Sequence, residues 1–563
     1  MTPYHRPRAK AVAARKTAQP RLAWFAALMF VTILGLALAN MASAQQKILI
    51  RGNGAEPNSL DPHSATGTWE NNIIGDLFMG LYTEDAAAKP ILGAADSVKT
   101  APDGLSWTFT IRPHTWSDGV PVTANDFVFA FQRILNPANA REYAQVLFPI
   151  KGARAVNTGK IPPAQLGVKA IDAKTLVIEL EKPAPYLPEL LTHYTTYPIP
   201  KHAYDKHGDK WSRAGNMVTN GPFMLKEWRQ NDRVIAAKNP KFYDAANVKL
   251  DGVVYFPTQD DPAAFRRFQA GELDMHERWP IAELARIRAN PTLKSEARSY
   301  TYLAVFYTVF NMTRKPFDDV RIRKALAMSI DRKTMLEKVF QGALGVPAVS
   351  FFPPGMANAD MSHKVFFADM PFEQRRAEAR KLMEAAGYGP NKRLKLTFNI
   401  GNTADAKRQA VFVQSMWQEI YVDAEIMSQD TAVHYKTLQT KNYDVGQAGW
   451  VWDYNDAKNI LFLFESTTKA QNYPGYNNPE YDALMIASDN EKDPVKRGEI
   501  LGKMNALLLR DLPATPNIHQ FERKLVKSYV KGFVENARVI NRARYLDLGP
   551  EAATISARAG SLK

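Results

Sequence analysis

Along much of this chain, apolar and polar side chains alternate with a period of two, which predicts β-strands. The clearest example is WTFTIR at residues 107–112, where Pro113 ends the alternation and a Trp-Ser-Asp-Gly turn follows at residues 116–119. On this basis strands are predicted at residues 47–50, 107–112, 176–180, 394–398, 425–427 and 448–453.

Other segments have the side-chain spacing and the terminal residues of helices. Helices are predicted from Asp126, from Val320 behind the N-cap Asp319, at residues 377–386 before Gly387, and at residues 409–419. The order strand, helix, strand over residues 394–427 predicts part of a mixed α/β lobe.

The stretch AGWVWDYND at residues 448–456 combines a predicted strand with an acid. As a strand, it presents Asp453 on one face and three aromatic side chains on the other, namely Trp450, Trp452 and Tyr454. From the pattern alone two interpretations stay open. The segment is either a core strand that ends in a turn at residues 453–455, or a strand that presents a functional carboxylate.

The N-terminus has the three parts of a secretory signal peptide. Six basic residues and no acid lie in the first 21 residues, an uncharged apolar run covers residues 22–39, and Ala42-Ser43-Ala44 is a small-x-small cleavage pattern. We predict cleavage before Gln45 and a soluble periplasmic protein. The length of the apolar run leaves an uncleaved membrane anchor as the alternative.

Composition and charge narrow the class further. The chain has 563 residues, of which 45% are hydrophobic, so it is long enough for two to four domains with real cores. It has no cysteine, which excludes disulfides, thiol catalysis and a lipid-modified cysteine at the cleavage site. After the predicted leader, 66 basic residues face 57 acidic ones without any block of like charge, so we expect no nucleic-acid partner.

Signatures of enzymes and of bound cofactors are missing. The chain has no Gly-x-Ser-x-Gly, His-Glu-x-x-His or Walker-type loop, and His276-Glu277 is not followed by a second histidine at zinc spacing. The glycine pair in Arg51-Gly52-Asn53-Gly54 lacks the third glycine of a dinucleotide-binding loop. We therefore predict a binding protein with no cofactor, no metal and no catalytic residues.

A series of motifs in constant order carries a family resemblance. They are EPNSLDPH at residues 56–63, DLFMGL at 76–81, WSDG at 116–119, TNGPF at 219–223, GELDM at 271–275, PFDDVRIRKAL at 316–326 and the AGWVWDYND stretch. Together they resemble the extracytoplasmic oligopeptide-binding proteins of ABC importers, the peptide/nickel-type solute-binding protein family 5. The resemblance covers nearly all of the chain after the leader, and the AGW…DYN stretch is closest to the oligopeptide branch.

The resemblance implies an α/β fold of the periplasmic-binding-protein type II-like class, with two lobes, a hinge and an additional inserted domain (cluster C). The implied division is residues 1–44 signal peptide, 45–78 lobe I, 79–202 additional domain, 203–305 lobe I, 306–520 lobe III and 521–563 the C-terminal part of lobe I.

It also implies where the ligand lies. The peptide is expected to add as a strand between two protein segments, since backbone hydrogen bonds give affinity without reading side chains. Those segments are Thr66, Gly67 and Thr68 on one side and Gly449, Trp450 and Val451 on the other. The carboxylate of Asp453 stands at the family's position for the free α-ammonium group of the peptide.

Four departures from the family pattern bear on the ligand. The oligopeptide branch has an arginine for the peptide carboxylate where this chain has Gln447, and a family histidine corresponds to Lys407, so the anchor is expected to move to Lys407 or to be weak. Trp452 replaces small residues, and it either narrows a side-chain pocket or packs behind the strand. Residues 518–521, IHQF, replace a tyrosine-rich segment.

The implied function is capture of oligopeptides by lobe closure and delivery to a heterodimeric permease with cytoplasmic ATPase subunits, the binding protein itself being a monomer. Because of Gln447, a different ligand in the same fold stays open, such as a murein peptide, a glutathione-like peptide or an opine. A secreted hydrolase is the alternative of another class.

Overall fold

The structure is a computed structural model that describes residues 1–2, 46–139, 141, 143–356 and 359–552. The chain from Lys47 onward forms one compact unit. The predicted signal peptide lies outside the described residues except at its first two positions. Among the described helices, none is both long and apolar enough to cross a bilayer.

Strands at all six predicted places are present, with bounds that differ by a few residues. The described strands are β1 (Ile48–Gly52), β2 (Tyr82–Glu84), β3 (Pro90–Leu92), β4 (Ala95–Thr100), β5 (Ser106–Ile111), β6 (Val168–Ala170), β7 (Thr175–Glu179), β8 (Phe223–Arg229), β9 (Arg233–Lys238), β10 (Gly252–Phe256), β11 (Met275–His276), β12 (Ala297–Thr301), β13 (Ala304–Phe310), β14 (Gly345–Pro347), β15 (Leu394–Gly401), β16 (Val422–Gln429), β17 (Val445–Val451), β18 (Ala514–Val526), β19 (Val530–Lys531) and β20 (Asp547–Leu548).

In the described chain, twelve of these strands form one mixed sheet in the order β16-β15-β17-β13-β18-β11-β1-β10-β9-β8, with β12 and β14 also paired to β18. A separate four-stranded sheet has the order β4-β5-β7-β6 and belongs to the region predicted as the additional domain. Two further pairs, β2 with β3 and β19 with β20, complete the described strands.

Strand β18 joins the two halves of the large sheet. Its first part pairs with β13 as far as Ile518, and its second part pairs with β12 from Phe521 onward. Strands β12 and β13 are themselves separated by two residues, Tyr302 and Leu303. The chain therefore crosses between the halves at two neighbouring places, beside the domain boundaries predicted at 305/306 and 520/521, which stay a prediction.

The described helices pack around the large sheet and the four-stranded sheet. They are α1 (Thr68–Leu77), α2 (Ala124–Leu135), α3 (Ala153–Asn157), α4 (Leu187–Leu190), α5 (Lys201–His207), α6 (Asp261–Gln269), α7 (Leu284–Ala289), α8 (Pro291–Glu296), α9 (Val320–Met328), α10 (Arg332–Thr334), α11 (Phe372–Ala385), α12 (Ala404–Gln418), α13 (Thr431–Gln439), α14 (Lys458–Leu461), α15 (Pro479–Asn490) and α16 (Pro494–Asp511). A π-helical turn, Met335–Val339, follows α10.

The helix predicted at residues 409–419 begins five residues earlier than expected. The Thr403 hydroxyl accepts a hydrogen bond from the Ala406 N–H and caps α12 before its polar first turn. That turn has no apolar stripe, so side-chain periodicity alone could not reveal it.

Two large hydrophobic cores lie in the described chain. The first surrounds β13 and β15 to β18, and the second surrounds the four-stranded sheet, α2 and β10. Trp452 belongs to the first core and Tyr454 to the second. The expectation of one aromatic wall behind the strand is therefore wrong, because β17 ends at Val451 and the following residues leave the period-two pattern.

Candidate functional site

Strand β17 has an open edge in the middle of the large sheet. It pairs with β13 along its whole length, from Val445 to Val451. On its other side β15 pairs with Val445 and Gly446, and within the described residues no strand pairs with β17 there from Gln447 onward. An open edge of this kind can accept a further strand.

The direction of the backbone groups follows from the hydrogen bonds at the two ends of the pair. On the β13 side, the Trp452 N–H donates to the Leu303 carbonyl, and the Asn311 N–H donates to the Asp444 carbonyl. In an antiparallel pair, successive residues alternate between those whose N–H and C=O groups bond to the partner strand and those whose groups point away from it. Asp444 and Trp452 bond to the β13 side, so the even-numbered residues of β17 between them bond to β13 as well. The N–H and C=O groups of Gln447, Gly449 and Val451 therefore point toward the open edge.

Gly449 has a packing reason to be glycine. A Cβ atom at this position would lie 2.5 Å from the Phe306 ring on β13, which is closer than atoms can approach. The missing side chain therefore lets the Phe306 ring lie against β17 at the centre of the open edge.

Asp453 follows the end of β17 and is held by the protein through its backbone. Its N–H donates to Asn459 Oδ1 at 3.0 Å, and its carbonyl accepts from Arg538 Nη2 at 2.7 Å. The carboxylate accepts one long hydrogen bond, from Asn459 Nδ2 at 3.4 Å. Burial raises the pKa of the Asp453 carboxyl to about 6, against the opposing effects of Asn459 and Arg538.

A histidine faces this carboxylate from the other half of the molecule. His193 Nε2 lies 3.9 Å from Asp453 Oδ1. Burial, reinforced by Arg538 and Arg542, lowers the pKa of His193 to about 3, so the imidazole is neutral at physiological pH and gives no ion pair. Among the described residues, no lysine or arginine lies within salt-bridge distance of the Asp453 carboxylate.

The loop after Asp453 contacts the predicted additional domain through an aromatic stack. Tyr186 and Tyr454 are nearly parallel with ring centroids 5.5 Å apart. Arg497 lies over Tyr186 and forms a buried ion pair with Asp456, with Nη1–Oδ2 2.7 Å and Nη2–Oδ1 2.9 Å. Asp453 is thus fixed at the contact of two distant parts of the chain.

The segment Thr66 to Thr68 lies at the start of α1. The N–H groups of Thr66 and Gly67 donate to Glu70 Oε2 at 2.9 and 2.8 Å, and Thr68 is the first residue of the helix. The preceding carbonyl, that of Ala65, accepts from the Tyr194 hydroxyl at 3.1 Å. The segment thus reaches the His193–Tyr194 pair that also faces Asp453. Because the N–H groups of Thr66 and Gly67 already donate to Glu70, the predicted pairing of this segment with a ligand depends on its other backbone groups.

The remaining predicted site residues differ in exposure. Gln447 is half-buried, and its Nε2 is buried without a hydrogen-bond partner among the described residues. Trp452 is 4% exposed in the first core, whereas Trp450 is half-buried and its Nε1 donates to Asn459 Oδ1 at 2.8 Å. Lys407 is exposed in the first turn of α12.

The partners of Asp453 were missed by reasoning from the sequence. His193 and Arg538 lie more than eighty positions from Asp453 along the chain, and no local motif marks them. Such residues can be found only once the fold brings them to the carboxylate. In the part of the chain that the structure describes, no group of three His, Asp or Glu side chains could hold a metal ion.

The divided sheet, the additional domain and a carboxylate between the parts define a class of protein, the α/β solute-binding proteins with two lobes and a type II-like fold. The chain belongs to the bacterial extracellular solute-binding proteins of family 5, since the model for the middle region of that family matches residues 89–472.

Known relatives cover nearly the whole chain. This chain is 35% identical to the periplasmic oligopeptide-binding protein OppA of Escherichia coli over 502 residues, which is 88% of this chain and 91% of OppA. Its structure is similar to that of the E. coli murein tripeptide binding protein MppA, with TM-score 0.82 and 33% identity over 90% of this chain and 99% of the other.

Two further structures bear on the arrangement of the lobes. The Haemophilus influenzae OppA complex with RPPGFSPFR aligns with TM-score 0.82, at 32% identity over 90% of this chain and 99% of the other. The unliganded open form of MppA aligns with TM-score 0.72, at 33% identity over 90% and 98%. The lobes described here therefore resemble the peptide complex more than the open form.

Proposed function

We propose that this chain is the binding component of an ABC importer, which captures oligopeptides by closing its lobes around them and leaves them chemically unchanged. The observation that carries the proposal is the buried Asp453 carboxylate, which stands at the end of an open strand edge and has no lysine or arginine beside it among the described residues. Two relatives, OppA and MppA of E. coli, are named as oligopeptide-binding and murein tripeptide binding proteins, which supports the same class of ligand.

The mechanism follows from the two features of the site. The ligand backbone adds to the open edge at Val451, and its free α-ammonium group supplies a positive charge that pairs with the Asp453 carboxylate. In a cleft closed from water such a pair is far stronger than on a surface. Closure is then a population shift, because only the closed form offers contacts from both lobes.

We expect the pH dependence of binding to follow Asp453. Because the pKa of the ligand-free carboxyl is about 6, it is mostly ionised at pH 7 and mostly protonated at pH 5. An ammonium group binds the ionised form, so the Kd of a free peptide should rise about tenfold between pH 7 and pH 5. Isothermal titration calorimetry at both values measures this; the same rise in Asp453→Asn would assign the effect to another group.

The anchor of the peptide carboxylate is the second point of the proposal. Gln447 cannot supply a charge, and we propose that Lys407 contributes it, since the exposed amine has no ion pair among the described residues. Lys407→Ala should weaken free peptides but not their C-terminal amides. Lys436→Ala, an exposed lysine on α13, serves as the matched control, and unchanged affinity of Lys407→Ala for peptides of every length would contradict the assignment.

Incubation with a mixed peptide pool, followed by mass spectrometry of the bound fraction, tests binding against hydrolysis. We expect intact peptides to be recovered from the protein. New fragments in the pool would contradict the proposal and favour a secreted hydrolase.

The cellular setting is proposed on the same basis. The predicted leader, cleaved before Gln45, and the periplasmic location of the relatives support a freely diffusing periplasmic monomer without a lipid anchor. It would deliver its ligand to a permease heterodimer driven by cytoplasmic ATPase subunits. A murein peptide, a glutathione-like peptide or an opine is the second candidate ligand, favoured by the neutral amide of Gln447.

A further inference from the structure

Arg538 joins the main chain of Asp453 to the predicted additional domain. Its Nη2 donates to the Asp453 carbonyl at 2.7 Å, and its Nη1 donates to Thr192 Oγ1 at 3.0 Å. The Arg538 side chain is 6% exposed, so both hydrogen bonds are made by a buried charge. Charge-assisted hydrogen bonds are about twice as strong as those between neutral groups. One side chain thus ties Asp453 to the residue that precedes His193.

The loop that carries Arg538 is connected to the end of β17 by its backbone. The Leu303 N–H donates to the Ala537 carbonyl at 2.7 Å, and the Leu303 carbonyl accepts from the Trp452 N–H at 3.0 Å. Ala537 precedes Arg538, and Trp452 precedes Asp453. The contact between the guanidinium and the Asp453 carbonyl therefore rests on a fixed connection one residue earlier in each segment.

Two carboxylates hold the other side of the guanidinium. Nη1 of Arg538 lies 3.5 Å from Glu189 Oε2 and 3.8 Å from Glu84 Oε1, and Glu84 also pairs with Arg542 at 3.3 Å. These acids offset the cost of burying the Arg538 charge. The charge of Arg538 is thus balanced within the protein, and its Nη2 bonds to the Asp453 carbonyl while the carboxylate of the same residue stays available to a ligand.

We propose that Arg538 is a positioning residue for peptide capture, which holds the Asp453 carboxylate at the place of the ligand's α-ammonium group by fixing the Asp453 carbonyl against Thr192. The proposal rests on the proposed function, because it concerns how the same site is held. The energy of a charge pair in a cleft of low dielectric depends strongly on the distance between the charges. A shift of the Asp453 loop should therefore weaken the pair with an ammonium group and spare the rest of the ligand.

Calorimetry with one tripeptide, in free and N-acetylated form, tests the proposal on the wild type and on three variants. Arg538→Met removes the guanidinium and keeps an unbranched side chain. Thr192→Val is milder, because it removes one acceptor of the guanidinium and keeps the volume. Arg544→Met is the matched control: Arg544 lies in the same segment, its Nη2 donates to the Tyr545 hydroxyl, and no contact joins it to Asp453 within the described chain.

We expect Arg538→Met to raise the Kd of the free tripeptide by about tenfold, the effect of one hydrogen bond to a charged group, and that of the acetylated form by less than about twofold. Thr192→Val should raise the Kd of the free form alone, by about two- to threefold. Arg544→Met should change neither. Poor folding of a variant lowers the stoichiometry of binding and does not produce a difference between the two peptides.

A double variant separates the positioning of Asp453 from a general effect on lobe closure. In Asp453→Asn the charge pair is already lost, so the addition of Arg538→Met should raise the Kd of the free tripeptide by less than about twofold more. The tenfold effect retained in the Asp453→Asn background would overturn the proposal.

Two other results overturn the proposal while leaving the proposed function intact. One is an equal loss for the free and acetylated peptides in Arg538→Met, and the other is no loss for either. If Arg538→Met gives no folded protein, Thr192→Val decides by the same comparison. If the wild type binds neither peptide, the proposed function fails, and this proposal falls with it.

Discussion

Asp453→Asn should raise the Kd of free peptides by roughly 30-fold to a few thousand-fold, which corresponds to about 2–5 kcal/mol. The amide keeps the shape of the side chain and its contact with Asn459 but cannot neutralise a buried ammonium group. Binding therefore loses the charge pair while the peptide backbone keeps its place beside Val451. Calorimetry with one tripeptide, in free and N-acetylated form, measures the effect.

The acetylated peptide separates this role from a structural one. It has no charge at its N-terminus, so wild type and Asp453→Asn should bind it with similar affinity. Glu425→Gln, which removes a carboxylate from an exposed position of β16, should change neither peptide. Equal losses for both peptides in Asp453→Asn would show that Asp453 acts by holding the loop and does not pair with the ammonium group.

Arg497→Met should lower the free energy of unfolding by about 3–5 kcal/mol, because it leaves the Asp456 carboxylate buried without its partner. The side chains of this pair are 1% and 0% exposed. Arg497 also donates to the Ser488 carbonyl and lies over Tyr186, so its loss loosens the loop that carries Asp453. Chemical denaturation measures the loss of stability, and peptide affinity should fall with it.

A double variant shows whether the cost comes from the unpaired charge. Asp456→Asn removes the charge and keeps an oxygen for the Lys458 N–H, which Asp456 Oδ1 accepts at 2.9 Å. Combined with Arg497→Met, it should recover part of the stability that the single variant loses. If the two destabilisations simply add, the buried pair is not what holds the loop.

The sequence predicts most of the strands because alternation is a local property. The strands at residues 107–112 and 394–398 are present in the structure as β5 and β15. Helix starts were less predictable, since α12 begins with a polar turn whose cap, Thr403, has no apolar neighbours to mark it. The order of strands in the large sheet could come only from the family resemblance, because β18 pairs with strands about 200 positions away along the chain.

The candidate site was predictable in part, because a motif within one short stretch of the sequence is also a local property. Asp453 and Val451 follow from the motif. The structure adds that the backbone groups of Val451 point away from β13 toward the open edge, and that the Asp453 carboxylate lies just beyond the end of that edge. His193 could not be predicted, because its approach to Asp453 depends on the folded position of the additional domain. Nor could the contact of His434 with the Gln447 carbonyl, since a histidine in a helix with no clear apolar face gives no sign of what it touches.

Native mass spectrometry of the protein, purified from the periplasm of a bacterial host without added ligand, tests the central claim most directly. The bound molecule is released, weighed and fragmented. We predict an intact peptide with a free N-terminus, and its loss from Asp453→Asn prepared in the same way. A non-peptide molecule, or a peptide retained equally by Asp453→Asn, would contradict the account.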